Sequence, residues 1–574
     1  MAMRAGLVWC WLLAVPVRPF APRRVVKSRY LHLSSLGSGE AFDVVVVGAG
    51  IGGLSSAARL AAQGQRVCIV EKNSLDLAGG RAGSFEIQGR GGDGSYRFDR
   101  GPSLLLLPDV YEAAFKEAGG GDLWASHVEP RVTPVAAPLY TMFLDRAPGL
   151  PLSPMVLRGG EQGLSHDKAQ FEALEVGGGA KYEAHIRQSQ RILDGGLPNF
   201  ISGQLRLPAL LQMAQEALFG GAFPLESQDS QICRRFSSTL ARAALTFQSL
   251  YVGLTPFEAP SVFNLLQPLE LGPVPDPHRA EQDPCRQGIF YPVGGFGEVS
   301  RSLVRLAQDA GVQFYWDSPV DQVVVDETGR ATGVRLTTGD VVDAAAVLVN
   351  VDLPMAEATL LPKSQKRDFS TSQFSCSVVS FHWALNTTLK PLSHHTLFLE
   401  AQSEARRQQS WEWESAFSSR GEGPANFYVH APARTDPSAC PEGHDAITVL
   451  VPAPGLRPSS EEAYDTGVVV SRARAFVLEQ FRRAGMDVEK HLVAEQVVSA
   501  PKWKQDFGLE RGSVFGLSHP LSQLSFFRPG PRSPGVRGLY YCGASARPGN
   551  GVPLVLLGAK QTVSAITADA PWES

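Results

Sequence analysis

The stretch FDVVVVGAGIGG, residues 42–53, decides the fold of this 574-residue chain. Its first six residues are mostly β-branched and apolar, which predicts a buried strand. The residues after the glycines, 54–63, carry Ala57 and Leu60 on one face and predict a helix. Residues 66–70 predict a second strand, which ends at Glu71. The order of strand, glycine-rich turn, helix and strand predicts an α/β fold that opens with a Rossmann-like dinucleotide-binding unit.

Each glycine of the turn has its own role in such a unit. Gly48 permits the tight turn, Gly50 allows the backbone to approach a pyrophosphate, and Gly53 lets the helix pack closely on the strand. The helix N-terminus offers N–H groups and a partial positive charge to phosphates. Glu71 lies 18 residues after Gly53, where a carboxylate can accept hydrogen bonds from a ribose. An acid at this position favours FAD or NAD over NADP.

Three further segments favour FAD. Residues 78–82 form a Gly-Gly-Arg turn that resembles the one lying along the pyrophosphate in flavin amine-oxidase-like proteins, and residues 99–103 resemble the segment beside the isoalloxazine. Residues 538–543 predict a strand, and residues 544–553 a turn that enters a helix whose N-terminus suits a flavin or ribityl oxygen. The candidate cofactor-binding residues are Gly48, Gly50, Gly53, Glu71, Gly79, Gly80, Arg81, Gly101, Pro102, Ser103, Val320, Gly543, Ala544, Gly549, Gly551, Val552 and Pro553.

The chain resembles the carotenoid desaturase family, and most closely the fungal-type and bacterial-type phytoene desaturases of the flavin amine-oxidase-like superfamily. The resemblance spans roughly residues 41–569. Phe290 stands where the family usually has Trp, and Arg547 where His is common. Besides the two ends, the segments that carry it are TFQSLYVGLTPFEAP (246–260), GIFYPVGGFG (288–297), VNVDLP (349–354), FYVHAPARTDP (427–437), LERGSVFGLSH (509–519) and RPGNGVP (547–553).

The resemblance implies a C40 polyene substrate such as phytoene, from which a hydride leaves one carbon and a proton its neighbour. The flavin is a competent hydride acceptor. A hydrocarbon has no hydrogen-bonding group, so its binding must come from apolar burial in a long tunnel. The reduced flavin then needs an oxidant, which we expect to be a quinone or O2.

Two other functions remain open. A relative of the same fold can act on a carotenoid without net redox, as a cis–trans isomerase or hydratase with reduced FAD. The chain can also be an FAD-binding protein without carotenoid turnover. The Gly101-Pro102-Ser103 segment favours a desaturase over an isomerase, whereas Arg547 leaves the exact chemistry open.

No general base follows from spacing alone. No metal-ligand, Ser-His-Asp or P-loop pattern is present in the sequence, and we expect no metal. His394 and His395 are interpreted as a surface pair. The weak catalytic candidates, each with an equally good structural interpretation, are Asp99, Glu258, Arg434, His519 and Arg547.

The FAD-binding domain is expected to be assembled from residues 41–118, 285–352 and 505–574. The blocks between them, 119–284 and 353–504, are expected to form an α+β substrate domain with a mixed or antiparallel sheet. In the middle segment, Val320 is expected to place its backbone beside the adenine, or else to be a simple core valine. The same segment contains a predicted helix at 297–311 and predicted strands at 312–316, 320–325, 333–336 and 345–349.

Charge separates the first 39 residues from the rest. Residues 1–39 contain six Lys or Arg and no Asp or Glu, whereas the remainder has 47 basic and 57 acidic residues. Residues 5–17 are an apolar run typical of a signal peptide, and the basic, hydroxylated sequence after them is typical of a transit peptide. This order, with Phe20-Ala21-Pro22 at the junction, resembles the two-part presequences of algae with secondary plastids. We therefore expect plastid targeting, with a plain secretory or mitochondrial signal as the alternative.

Composition and patterning restrict the partners. The sequence has no long basic run, which argues against nucleic-acid binding, and its seven scattered cysteines argue against a disulfide framework. No apolar run in the body is long enough to span a bilayer. Residues 197–223 are apolar with few charges, which predicts a helical patch that contacts a membrane surface, or alternatively a core helix lining the substrate tunnel.

Overall fold

The computed structural model describes residues 41–92, 94–196, 226–272, 286–362, 365–413, 417, 425–457, 466–524, 527–570 and 572. The predicted presequence at 1–39 and the predicted membrane patch at 197–223 lie outside these residues. The strands β1–β18 are Phe42–Val47, Val67–Val70, Ser84–Gln88, Ser95–Asp99, Val132–Pro134, Tyr140–Asp145, Ser153–Leu157, Phe290–Pro292, Gln313–Tyr315, Val320–Val325, Ala331–Leu336, Val341–Val349, Ser377–Leu385, His395–Glu400, Phe427–His430, Asp445–Ala453, Leu492–Val498 and Leu539–Tyr541.

The α-helices are distributed along the whole described chain. Helices α1–α16 are Ile51–Ala62, Pro108–Glu117, Gly121–Leu123, Gly160–Glu172, Gly178–Gly196, Gln228–Cys233, Thr239–Thr246, Ser249–Val252, Leu266–Leu271, Phe296–Asp309, Leu353–Leu360, Glu404–Gln409, Thr466–Arg483, Val488–His491, Ala500–Phe507 and Val552–Asp569. In the described ranges, none of these helices has both the length and the apolar character needed to cross a bilayer.

The first sheet confirms the predicted Rossmann-like unit. Its order is β10-β11-β12-β1-β2-β9, with β18 also paired to β12. Strands β12, β1, β2, β9 and β18 are parallel, and β10 and β11 add an antiparallel edge. The strand β1 is almost fully buried because helices cover both faces of a parallel sheet, which explains its continuous apolar run.

The second sheet is mixed, as predicted. Its order is β17-β13-β16-β15-β14-β6-β7, and all pairs are antiparallel except β14 with β6. A β3–β4 hairpin and a β5–β8 pair lie outside the two large sheets. The fold is therefore an α/β Rossmann-like unit combined with an α+β region, the class expected from the sequence.

Several element boundaries differ from the prediction by a few residues, and two of the shifts have identifiable reasons. Helix α1 begins at Ile51 rather than at residue 54, because Gly52 and Gly53 already belong to its first turn. Strand β12 begins at Val341 rather than at residue 345, because its first residues pair with β11 and only its later residues pair with β1.

Candidate functional site

The glycine turn after β1 brings helix α1 onto the backbone of that strand. A Cβ atom built on Gly53 would lie 2.1 Å from the Gly48 carbonyl oxygen, so only glycine fits there. Helix α1 starts after Gly50, which has no side chain to cap its first N–H groups. These N–H groups are therefore available to an anionic ligand at the end of β1.

Glu71 lies at the end of β2 with its carboxylate directed at this turn. Its Oε2 accepts a hydrogen bond from the Ala49 backbone N–H at 2.6 Å, and its Oε1 accepts from Asn73 N at 2.9 Å. The Glu71 carbonyl oxygen accepts from Ser318 N at 2.8 Å, two residues before Val320 begins β10. The two residues predicted beside ribose and adenine thus belong to adjacent parts of one site.

The turn at residues 78–82 lies alongside the first glycine turn. Gly79 N donates to the Ala49 carbonyl at 2.9 Å, and Gly79 forms a bridge with Gly50. A Cβ on Gly79 would lie 2.0 Å from Ser300 Oγ of helix α10, which explains the glycine. The Arg81 side chain donates a hydrogen bond to the Val514 carbonyl, in the segment 509–519. The structure thereby places Gly79, Gly80 and Arg81 next to the turn that the sequence assigned to the pyrophosphate.

Asn350 joins the two ends of the chain, which are nearly 500 residues apart. Its backbone N–H donates to the Val47 carbonyl at 2.8 Å, and its Nδ2 donates to the Cys542 carbonyl at 2.9 Å. Its Oδ1 would lie 2.6 Å from a Cβ on Gly50. Sequence reasoning quoted Asn350 only as part of a family segment, although its place directly after a buried strand was an available signal.

The C-terminal turn completes the site. Residues 543–551 follow β18, and helix α16 begins at Val552 and Pro553 after Gly551, which offers no side-chain cap. Ser545 Oγ donates to the Asp352 carboxylate, which fixes this turn to the end of β12. The candidates Gly543, Ala544, Gly549, Gly551, Val552 and Pro553 therefore lie in the turn and helix start that meet the first glycine turn through Asn350.

Arg528 is a buried cation that the sequence analysis missed. Its side chain is 1% exposed and donates to the carbonyls of Leu517 at 2.9 Å, Ser518 at 3.0 Å, Ala544 at 2.6 Å and Ala546 at 3.3 Å. Burial lowers the pKa of Arg528 to about 9, and the Asp352 carboxylate opposes this shift. Arg528 therefore holds the C-terminal turn by binding its backbone oxygens.

Asp99 is buried and fully engaged. It accepts hydrogen bonds from Ser84 Oγ at 2.6 Å, the Tyr291 hydroxyl at 2.6 Å and Phe296 N at 2.8 Å. Burial raises the pKa of Asp99, and these three donors oppose the shift. Its contacts are those of a residue that ties β4, β8 and α10 together.

The segment 101–103 contacts both the 78–82 turn and strand β15 of the second sheet. A Cβ on Gly101 would lie 2.9 Å from the Arg81 carbonyl oxygen, so Pro102 and its neighbours run next to the 78–82 turn. Ser103 is buried, and its hydroxyl accepts a hydrogen bond from the Tyr428 hydroxyl at 2.8 Å. The structure thus connects the predicted flavin-side segment with strand β15 of the second sheet.

The interpretation of His394 and His395 as a surface pair is wrong. Their exposed fractions are 2% and 0%, because β14 lies between β15 and β6 inside the second sheet. His394 Nε2 is 3.1 Å from His430 Nε2, and His395 Nδ1 is 2.6 Å from the Tyr428 hydroxyl. Burial holds the pKa of all three imidazoles well below the usual value, so they are neutral.

His519 and Arg547 both lie against the C-terminal turn. Asn550 N donates to His519 Nε2 at 3.4 Å, and His519 Nδ1 is buried without a hydrogen-bond partner among the described residues. Burial, with a smaller effect of Arg528, holds the pKa of His519 well below its usual value. Arg547 is half-buried and donates to the Arg528 carbonyl at 3.2 Å.

The remaining two catalytic candidates point elsewhere. Arg434 forms an ion pair with Asp445 at 2.6 Å and donates to the Leu389 and Leu392 carbonyls, which gives it a structural role at the rim of the second sheet. Glu258 is exposed and accepts from Thr255 Oγ1 at 3.0 Å. Across the described ranges, no group of three His, Cys, Asp or Glu side chains is arranged to hold a metal ion.

The sequence analysis also missed a largely buried polar cluster that is connected to Ser103 through Tyr428. In this cluster, Tyr140 comes from β6 and Glu270 from α9. Tyr251 lies in α8, and Gln248 directly precedes that helix. The only available signal was that Gln248 and Tyr251 belong to the segment 246–260 that carries the family resemblance. Nothing in the LQPLEL context of Glu270 indicates a buried acid.

Comparisons with known proteins agree with this geometry. The model for flavin containing amine oxidoreductase matches residues 149–567, and that for an NAD(P)-binding Rossmann-like domain matches residues 46–117. The phytoene desaturase of Fusarium fujikuroi is 33% identical and covers 93% of this chain and 90% of its own length. The zeta-carotene-forming phytoene desaturase of Myxococcus xanthus is 32% identical and covers 90% of this chain and 92% of its own length.

A solved structure supports the fold. An oxidoreductase from Methanosarcina mazei superposes with a TM-score of 0.57 at 17% identity, covering 91% of this chain and 99% of its own. At this identity the likeness concerns the fold alone.

The residues of the site fit the FAD that such a family implies. Two uncapped helix N-termini, of α1 and α16, have free N–H groups of the kind that suits phosphate and flavin oxygens. Glycine leaves space for a close approach at the first turn, and Glu71 supplies a carboxylate at the end of β2. The chain therefore belongs to the phytoene desaturase family of flavin-containing amine oxidoreductases and is an FAD-dependent oxidoreductase.

Proposed function

We propose that this enzyme is a carotenoid desaturase, which introduces conjugated double bonds into phytoene or a related C40 carotene in carotenoid biosynthesis. The observation that carries the proposal is the 33% identity to a phytoene desaturase over 93% of the chain. A second relative of similar identity bears the name of a zeta-carotene-forming enzyme. The chromatography experiment therefore counts how many double bonds the enzyme introduces.

The chemistry divides between the cofactor and the protein. FAD supplies the hydride acceptor for the dehydrogenation. The chain's own task is to align a hydrocarbon that offers no hydrogen-bonding group, and this requires apolar walls that exclude water. Reoxidation requires an external acceptor, for which we propose a quinone or O2.

The cofactor contacts are proposed residue by residue. Gly48, Gly50 and Gly53 accommodate the pyrophosphate at the start of α1, and Glu71 accepts hydrogen bonds from the ribose hydroxyls. Gly79, Gly80 and Arg81 line the pyrophosphate and flavin, Gly101, Pro102 and Ser103 lie on the flavin side, and Val320 contacts the adenine. Gly543, Ala544, Gly549, Gly551, Val552 and Pro553 close the site at the start of α16. Of the weak catalytic candidates, His519 contacts this C-terminal turn and Arg547 belongs to it.

A division into two domains follows from this assignment. Residues 41–118, 285–352 and 505–574 form the FAD-binding domain, because the strands of the first sheet come from these segments. Residues 119–284 and 353–504 form the substrate domain around the second sheet, whose strands come from those segments.

The proposed reaction is tested by pigment chromatography of bacteria that accumulate phytoene and express residues 40–574. We expect phytoene to disappear and ζ-carotene, neurosporene or lycopene to appear, which would count the desaturation steps. A changed isomer or a hydrated product at constant oxidation level would instead support an isomerase or hydratase. FAD-loaded protein that leaves phytoene and later carotenes unchanged would support a binding protein without turnover.

Peripheral membrane contact is proposed for residues 197–223, which lie outside the described residues. The segment is apolar with few charges, and the proposed substrate is dissolved in lipid. In the same bacteria the FAD-loaded protein is expected in the membrane fraction, and a matched protein with Leu210→Asp and Leu211→Asp is expected to move to the supernatant. Equal distribution of the two proteins would refute this contact.

Plastid targeting is proposed for residues 1–39, also outside the described residues. The support is the acid-free, basic composition and the apolar run at 5–17. The relatives compared above are fungal and bacterial, so the presequence carries this proposal by itself. A fluorescent protein fused after residue 40 is expected to enter the plastid of an alga with a secondary plastid. Replacement of Phe20 by alanine should divert it to another compartment, and unchanged mitochondrial or secreted fluorescence for both fusions would contradict the proposal.

A further inference from the structure

Glu270 is a buried acid to which the function proposed above assigns no role. Its residue is 0% exposed, and its Oε2 accepts hydrogen bonds from the Tyr140 hydroxyl at 2.9 Å and the Gln248 amide at 3.3 Å. Its other oxygen, Oε1, is buried without a hydrogen-bond partner among the described residues. An ionised carboxylate with an unsatisfied buried oxygen is costly, so this site favours a bound proton.

Two tyrosine hydroxyls form a chain of hydrogen bonds in which each hydroxyl donates toward Glu270. The Tyr251 hydroxyl donates to the Tyr140 oxygen at 3.3 Å, and the Tyr140 hydroxyl donates to Glu270. The first contact is longer than an ordinary O–H···O bond, as proton-transfer contacts commonly are before a substrate binds. A hydroxyl that receives a proton can release its own to the next acceptor, so the aligned donors form a path that ends at Glu270.

The open end of this path is Tyr251. Tyr140 and Glu270 are fully buried, whereas Tyr251 is only partly buried. Its ring packs edge-on against Tyr428 at 5.9 Å between ring centres, and its carbonyl accepts from Asn550 Nδ2 at 3.3 Å. Tyr428 in turn donates to Ser103. Tyr251 is thus connected through Tyr428 to the flavin-side segment at 101–103, and it directly contacts the C-terminal turn. These are the two parts of the site proposed to contact the flavin.

We propose that Glu270 accepts, through Tyr251 and Tyr140, the proton that the substrate carbon loses during desaturation. This inference rests on the proposed function. One C–H bond of the carotene would break with its electron pair, and FAD, held at the starts of α1 and α16, would supply the hydride acceptor. The neighbouring carbon loses its proton to Tyr251 Oη, and the electron pair left behind becomes the new π bond. Tyr251 passes its own proton to Tyr140, Tyr140 passes its proton to Glu270, and the carboxylate becomes a neutral acid.

The charge state of Glu270 then sets the pH dependence. Burial raises the pKa of Glu270 to about 8, and the hydrogen bonds from Tyr140 and Gln248 oppose the shift. Burial also raises the pKa of Tyr140 and Tyr251 well above the usual value, so both keep their hydroxyl protons. Burial lowers the pKa of His185 on α5 to about 3, and it holds the pKa of His395, whose ring centre is 5.6 Å from that of Tyr140, well below its usual value. Burial also raises the pKa of Tyr428 well above its usual value, so Tyr428 keeps its proton. The charged groups on or beside these elements are Arg235, 3.2 Å from His185 Nδ1, and Lys181, Glu183, Arg187, Arg191 and Asp194 of α5.

The first readout is turnover against pH in the FAD-loaded enzyme. A proton acceptor must be ionised, so wild-type turnover should rise with pH and level off above about 8. Glu270→Gln should lower turnover by about 100-fold and remove this rise, with an unchanged KM for the carotene. Tyr251→Phe should give a similar loss of turnover, while Glu327→Gln, in the exposed turn between β10 and β11, should behave as the wild type.

The second readout is stability against pH, which does not depend on turnover. Between about pH 4.5 and about pH 8 the folded protein keeps a proton on Glu270 that the unfolded chain has released, so folding stability falls as pH rises. Glu270→Gln should lack this part of the slope, whereas Tyr251→Phe, which retains the acid, should keep it. Thermal unfolding of the FAD-loaded proteins at a series of pH values measures the difference.

The outcomes separate the relay from the proposed function. The relay is refuted if Glu270→Gln keeps wild-type turnover or its pH dependence, or if its stability slope equals that of the wild type. It is also refuted if Tyr251→Phe turns over normally. A wild-type enzyme that oxidises no carotene refutes the proposed function instead, and the stability slopes still report whether Glu270 holds a proton.

Discussion

Replacing Gly53 by alanine is expected to yield protein that does not retain FAD. The added Cβ would lie 2.1 Å from the Gly48 carbonyl oxygen, which is backbone and cannot move aside as a side chain would. Overpacking of this kind costs about 3 kcal/mol or more, since helix α1 must separate from β1. A loss of about 3 kcal/mol corresponds to a weakening of roughly 100-fold in cofactor binding. The ratio of flavin absorbance to protein absorbance after purification measures the effect.

Gly530→Ala is the matched control for this substitution. No heavy atom lies within 4 Å of a Cβ built on Gly530, and its φ is outside the left-handed range. This protein should bind FAD and unfold at the wild-type temperature. A flavin content in Gly53→Ala equal to that of Gly530→Ala would contradict the close approach of α1 to β1.

Replacing Arg528 by methionine is expected to destabilise the C-terminal turn and release FAD. Methionine keeps much of the length but none of the donors, so the buried carbonyls of Leu517, Ser518, Ala544 and Ala546 lose their partner. An unsatisfied buried polar group costs about 1–3 kcal/mol, so the free energy of unfolding should fall by roughly 3 kcal/mol or more. Thermal unfolding of the FAD-loaded protein and the apparent dissociation constant of FAD measure the two effects.

The control for Arg528 is Arg537→Met. Arg537 also donates to a backbone carbonyl, that of Thr328 at 3.0 Å, but it is exposed and water can replace it. This variant should change unfolding by less than about 0.5 kcal/mol. If Arg528→Met bound FAD as tightly as Arg537→Met, the turn would be held by its other contacts, such as Ser545 with Asp352.

Much of the backbone framework of the candidate cofactor site was predictable because its signals are local. The β-branched run of β1, the glycines after it and Glu71 each reflect a requirement of the chain within about thirty residues. The same holds for the turn that enters α16. The structure confirms these elements with boundaries shifted by a few residues, where strand pairing or a helix's first turn extends the pattern.

Polar residues whose role depends on tertiary contacts were not predictable. His394 and His395 have the appearance of a surface pair, yet β14 lies between two strands of the second sheet and buries both. Arg528 precedes a proline-rich loop, and only the folded chain surrounds its guanidinium with carbonyl oxygens.

The sequence by itself determined the Rossmann-like unit, the FAD class and the family, because short motifs specify backbone geometry that few other residues allow. The tertiary structure alone decided which acids and cations are buried and what they contact, as for Glu270 beneath Tyr140 and Asn350 between the two chain ends. The physical reason is that burying a polar group is tolerable only when hydrogen-bond partners surround it. In this protein some of those partners are far away along the chain, as Tyr140 is from Glu270 and Cys542 from Asn350. Others, such as the carbonyls around Arg528, are near in sequence but adopt the required geometry only in the folded chain.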